Sequence, residues 1–147
     1  MRGAYFLVIK VKGATTIKTR GKEFPLKAGY YVYVGSAMNS LEKRVERHFK
    51  KDKKLHWHID FLLRESELLR AYLIPSNEKI EEKLSREVSK FGKPVGGFGA
   101  SDLRIDSNLY YFKDEPDSLL IDTLQKLGLR WKRIKSLEEV RKLEGEK

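Results

Sequence analysis

Residues 30–34, Tyr-Tyr-Val-Tyr-Val, constrain the fold more than any other stretch of the chain. β-Branched and aromatic side chains lose rotamer freedom in a helix but fit a pleated, half-buried surface, so this run, followed by Gly35, reads as a strand. Residues 4–11 (AYFLVIKV) have the same character and stop before Gly13. Two such runs joined by a short excursion make an antiparallel pair the natural arrangement. Residues 15–18, with the Gly21–Pro25 region, suggest a short second strand and a turn before Lys27-Ala28-Gly29.

Beyond the second run the period changes. Asn39 or Ser40 can cap a helix that reaches about Lys51, with Leu41, Val45, His48 and Phe49 at helical spacing and a basic face opposite them. Residues 55–63 (LHWHIDFLL) are too short to classify by period and could be a buried helix or a strand. Residues 68–74 read as a strand, and Pro75-Ser76-Asn77 as a turn into a helix at 78–91 that turns Ile80, Leu84, Val88 and Phe91 inward. Four glycines and a proline make 92–99 a loop, and 108–112 is a further strand. A helix at 117–127, a short piece around Trp131 and a last helix at 136–144 complete the chain. The expected fold is α+β: a small central antiparallel (mixed) β-sheet flanked by helices over residues 1–113, with a C-terminal helical extension, 114–147, packed on or next to it.

Composition narrows the function. The chain has 147 residues, enough for one domain, and no cysteine, which excludes disulfides and thiolate metal sites. No run approaches the roughly 18 apolar residues needed to span a bilayer, so the expected location is cytoplasmic. A charged fraction of 35%, with only two methionines, hints at heat adaptation. The net charge is +10, and residues 1–113 hold 23 Lys and Arg against 13 Asp and Glu, whereas 114–147 hold 8 against 8. That excess attracts a polyanion, and phosphate backbones are the commonest intracellular one.

Two strand tyrosines, Tyr5 and Tyr33, can present their hydroxyls to a single site if they share a sheet face. In the helix after them, Arg44, Arg47 and His48 lie within about one turn, and Arg44 and His48, four apart, can both project towards the tyrosines. A guanidinium beside a scissile phosphate would stabilise the charge that grows in the transition state. The rest of the helix, with the run that follows, offers Lys43, Arg47, Lys50, Lys51, Lys53 and Lys54 as phosphate-binding cations. A solvated basic face would serve binding alone.

Tyr-Val-Gly-Ser-Ala at 33–37, with Glu42-Lys43-Arg44 and Arg47-His48-Phe49-Lys50, resembles the second signature and following helix of the GIY-YIG nucleases. Residues 3–112 are similar to the archaeal and bacterial family called domain of unknown function 123, through 29–37 (GYYVYVGSA), 56–60 (HWHID) and 97–102 (GFGASD). That family is assigned to the GIY-YIG group, and some of its members are joined to DNA-repair glycosylases. The resemblance implies a phosphodiester hydrolase acting on DNA. It places Tyr5 and Tyr33 at the signature tyrosines, one of which activates or orients water, with Arg44 on the motif arginine and His48 on the helix histidine. His56 falls near a second histidine of homing enzymes, and Asn108 on an asparagine that follows the glutamate helix. The metal, normally Mg2+ with Mn2+ as a substitute, is implied on a glutamate of helix 78–91. Glu81, with Leu84-Ser85 after it, fits the pattern best, and Glu87 is the alternative. The chain departs from the pattern at Ala4, where the signature has isoleucine, and at Leu103, Ile105 and Asn108, where related chains carry Cys-x-Cys and histidine.

His56, His58 and Asp60 invite a metal reading if 56–60 is a strand, since all three would then share a face. The preferred reading is structural, with the imidazoles hydrogen-bonded, Trp57 and Phe61 buried, and no zinc. Gly96-Gly97-Phe98-Gly99 lacks the ending of a nucleotide-binding loop and no organic cofactor is implied; it reads as a turn that places Asp102 and the next strand. Three functions fit in descending order: a metal-dependent DNA endonuclease, a non-catalytic nucleic-acid-binding module on the same fold, and a scaffold whose residues 114–147 dock another protein.

Overall fold

The computed structural model describes residues 1–99 and 105–145. In chain order the elements are β1 (Gly3–Val11), β2 (Thr15–Lys18), β3 (Glu23–Leu26), β4 (Gly29–Ala37), α1 (Leu41–Phe49), α2 (His58–Arg64), β5 (Glu67–Pro75), α3 (Glu81–Val88), β6 (Lys93–Pro94), β7 (Leu109–Phe112), α4 (Asp117–Lys126), β8 (Lys132–Ile134) and α5 (Leu137–Gly145). Six strands form one antiparallel sheet in the order β6-β7-β4-β1-β5-β8, and β2 and β3 form a separate hairpin.

β1 lies inside the sheet with both faces covered, which is why its sequence reads as a continuous apolar run. Tyr5, Leu7, Ile9 and Val11 face one core, shared with α1, α2, the hairpin and α5. Ala4, Phe6 and Val8 face the other, shared with α3 and α4. Emptying one such site, as in Leu7→Ala, costs about 2–5 kcal/mol.

The structure differs from the sequence reading at several points. Residues 23–26 are a strand and not a turn: Phe24 and Leu26 point inward, while Pro25 points out of a two-stranded hairpin, where its missing N–H is tolerated. Gly35 does not end its strand, because β4 continues to Ala37. Residues 58–64 form a helix. The helix expected at 78–91 spans only Glu81–Val88, and Phe91 is 55% exposed instead of facing inward. The chain turns there to return as β6, and at Gly92 a Cβ would meet the Phe112 ring at 2.6 Å. Trp57, expected to be buried, is 38% exposed. The loop expected at 92–99 includes β6, and the piece after Trp131 is the edge strand β8.

The segment after 113 therefore adds an edge strand, β8, to the sheet. Arg70 on β5 pairs with Glu115 and Asp117, and the Tyr72 hydroxyl donates to Asp117 at 2.7 Å. α5 packs on α1, where Arg141 meets Glu46. Asp102, with the rest of 100–104, lies outside the described residues. Among those described, no helix is long and apolar enough to cross a membrane.

Candidate active site

The β1–β4 register pairs Tyr5 with Gly35 and Leu7 with Tyr33. Odd residues face odd residues, so alternation puts both phenols on one face, their ring centroids 6.3 Å apart. A Cβ at position 35 would lie 2.4 Å from the Tyr5 ring, so glycine is there to let the ring lie flat on the neighbouring strand. A Cβ at Gly3 would likewise lie 2.1 Å from the Ile74 carbonyl oxygen of β5.

Ser40 caps α1, its hydroxyl accepting from the Lys43 N–H at 3.2 Å, and Leu41, Val45 and His48 bury the inner face. That orientation brings His48 Nε2 within 2.7 Å of the Tyr5 hydroxyl. Arg44, one turn earlier, donates to the Ser36 carbonyl at 3.2 Å and lies 4.6 Å from the centre of the Trp57 ring. Glu81 opens α3 on the opposite wall. The Asn108 amide donates to Glu81 Oε2 at 3.0 Å and to the Gly99 carbonyl at 3.1 Å. Tyr5, Tyr33, Arg44, His48, Glu81 and Asn108 thus line one cavity of about 630 Å³, together with Trp57, Lys79 and Glu82.

Burial dominates the electrostatics. It pushes the Tyr5 phenol up against the pull of Arg44, and raises Tyr33 well above its ordinary 10, with the Tyr5 and Glu81 charges adding to the effect. Burial, then the Lys53 charge, holds the His48 imidazole down at about 3, so it is neutral at physiological pH. Its Nδ1 is buried without a partner, and so is Asn108 Oδ1. Arg44 makes no ion pair among the described residues, so its guanidinium faces the two neutral phenols without a carboxylate bonded to it.

Other residues singled out in the sequence lie elsewhere. Glu87 faces away from the cavity and pairs with Lys90 at 2.7 Å. Arg47 grips the fully buried Asp60 through both its terminal nitrogens, at 2.7 and 2.9 Å. Asp60 Oδ2 also accepts the N–H groups of His56 and Trp57. Burial raises the Asp60 carboxyl, but the Arg47 bond and these two N–H groups outweigh it and hold it at about 2. Lys53 donates to the last carbonyls of α1, at Arg47 and His48, and burial lowers its ammonium to about 8. Lys50 pairs with Glu46, whereas Lys43, Lys51 and Lys54 are exposed.

His56 packs edge-on to Trp57, and His58 sits between Phe24 and Phe98 with its Nδ1 accepting the Gly99 N–H at 3.3 Å. Neither lines the cavity. Among the described residues no three His, Cys, Asp or Glu side chains gather to hold a metal. Sequence reasoning missed Lys79 and the exposed placement of Trp57. Trp57 also lies 4.6 Å from the Arg47 guanidinium, so it steadies Arg44 in the cavity and Arg47 behind it. An aromatic residue ten positions from one cation and thirteen from the other leaves no periodic trace.

The model of the family described as Domain of unknown function DUF123 matches residues 4–129. No curated protein and no solved structure matches the chain.

Proposed function

The chain belongs to the domain of unknown function 123 family, and from that premise we propose that it is a divalent-metal-dependent endonuclease of the GIY-YIG type, hydrolysing phosphodiester bonds in DNA. One observation carries the proposal: a single cavity gathers two sheet phenols, an arginine that has no carboxylate partner among the described residues, a neutral imidazole bonded to one phenol, and a carboxylate. A role in DNA repair belongs to the same proposal and draws on the resemblance alone.

The chain's own groups divide the work. Tyr5 takes a proton from the attacking water as it passes its own to His48 Nε2, 2.7 Å away. In the free protein His48 resists that proton because it is buried beside cations. The negative charge of a bound phosphodiester supplies the counterion it lacks. The Arg44 guanidinium stands beside the charge that develops on the phosphate oxygens. Tyr33, held protonated, donates a hydrogen bond to one of them.

Glu81, positioned by Asn108, would hold the metal. The Glu81 carboxylate and the unpartnered Asn108 Oδ1 are hard oxygen donors, and Mg2+ commonly takes one or two protein carboxylates and keeps several waters, so the residues fit the ion. When bound, it would polarise the phosphate and offset charge on the leaving oxygen.

The test is incubation of purified protein with nicked, branched and single-stranded DNA and with RNA, in Mg2+ or Mn2+ and then in chelator. Metal-dependent cleavage that disappears in Arg44→Ala and Glu81→Ala supports the enzyme. Salt-sensitive binding without cleavage of any substrate supports the non-catalytic module instead.

A further inference from the structure

A second recess, of about 980 Å³, opens between the β2–β3 hairpin and the β6–β7 edge of the sheet. Phe24, Pro25 and Tyr111 give it apolar walls, and Lys22, Lys27 and Lys93, all exposed, stand around it. Among the described residues Glu23 is the one carboxylate in its lining, so the recess carries a surplus of positive charge. The Lys27 ammonium lies 4.3 Å from the centre of the Tyr111 ring.

Only a thin wall divides this recess from the candidate active site. Phe98, fully buried, touches Phe24 on the recess side at 5.0 Å between centroids and Tyr33 on the cavity side at 6.2 Å. Before Phe98 the chain runs through Gly96, which lines the recess, and Gly97, whose φ of +78° suits glycine. A side chain at Gly96 would meet nothing within 4 Å, and at Gly97 the nearest group is the Lys22 ammonium, at 3.6 Å. With no side chain at either position, another backbone can pass close to this stretch, next to a lysine.

We infer that this recess binds a single-stranded stretch of nucleic acid continuous with the strand in the active site, its bases against Tyr111 and Pro25 and its phosphates on Lys22, Lys27 and Lys93. A charged rim around an aromatic floor is the arrangement that holds single strands without reading their sequence. The recess lies near the top of the volume range of ligand pockets, about 300–1,000 Å³, which accepts a few nucleotides but not a duplex. The inference rests on the nucleic-acid reading of the neighbouring cavity for its class of ligand, and is independent of cleavage.

The experiment is fluorescence anisotropy of a labelled oligothymidylate of about 8 nucleotides, within the usual span of a single-strand site, with no divalent ion present. Against the wild type, the triple variant Lys22→Ala/Lys27→Ala/Lys93→Ala is expected to bind about tenfold more weakly, with a salt dependence shallower by about 0.7 for each lysine removed. Tyr111→Leu is expected to weaken binding about 5-fold or more. A blunt duplex should respond little to either change. The three lysines are exposed, so the triple variant carries the test even if Tyr111→Leu fails to fold. Unchanged oligothymidylate binding in the folded groove variants would overturn the inference, as would displacement by oligoglutamate as readily as by unlabelled oligothymidylate, which would point to an acidic peptide. Weakened groove variants of a protein that cuts nothing would sink the nuclease and leave the groove standing. Intact cleavage with unaltered groove variants would do the reverse.

Discussion

Arg44 and Arg70 each stand beside a sheet tyrosine, yet the fold treats them in opposite ways. Arg70 is met by two carboxylates, Glu115 and Asp117, and Asp117 also accepts the Tyr72 hydroxyl and meets Arg133 at 3.6 Å. Every strong charge there has its opposite within the chain, and the product is mechanical: the segment after 113 is fastened to β5. Arg44 has a carbonyl and an indole for neighbours, and Tyr5 beside it is bonded to an imidazole that is not charged. An arginine whose charge is satisfied internally holds a structure together. One whose charge is left over waits for a ligand.

The sharpest way to break this contrast is to remove each guanidinium. Arg44→Ala should lower the rate of metal-dependent cleavage by about 10²–10³ while leaving the urea midpoint close to that of the wild type. Arg70→Ala should do the opposite, costing about 2 kcal/mol of stability by urea titration with cleavage retained. If Arg70→Ala abolishes cleavage in folded protein, the division between the two regions is wrong. The phenols allow a second comparison. Tyr5→Phe should reduce cleavage by about 10² or more, whereas Tyr72→Phe, which removes one hydrogen bond to Asp117, should cost about 1 kcal/mol and no activity.

A third comparison concerns pH. His48 titrates at about 3 in the folded protein, against an ordinary value of 6.5. Below 6.5 the unfolded chain therefore takes up a proton that the folded chain refuses, and stability falls as pH drops from 6.5 towards 3. The slope from this group is about 1 kcal/mol per pH unit. His58, also lowered by burial and by Lys22, adds in the same direction. Urea midpoints measured at pH 7, 6 and 5 should fall, and fall less steeply in His48→Gln. An equal slope in the variant would mean that His48 is not the buried neutral group described above.

Much of the fold was legible because local pattern and tertiary role agree. The apolar runs of β1 and β4 and the amphipathic spacing of α1 have single solutions, and six of the residues that line the cavity, Tyr5, Tyr33, Arg44, His48, Glu81 and Asn108, were named from signatures in those elements or after them. The illegible parts depend on distant contacts. The glycines from 92 onward announce a loop, but not that the helix already stops at Val88 and leaves Phe91 exposed, nor that Gly92 packs against the ring of Phe112, twenty residues later. Arg47 looks like another phosphate-binding cation until Asp60, thirteen residues on, is seen buried beneath it. Trp57 reads as core because tryptophan is bulky and apolar, whereas two guanidiniums hold it at the surface.

The contact between the Tyr5 ring and Gly35 has a consequence for how such a chain can change over time. Since the phenol fills the space where a side chain at 35 would begin, neither position can be altered alone without loss. Among descendants of a common ancestor that keep this geometry, the two sites should be inherited as a pair. A lineage in which 35 has gained a side chain should also have given up its tyrosine at 5, and with it the chemistry proposed for that hydroxyl.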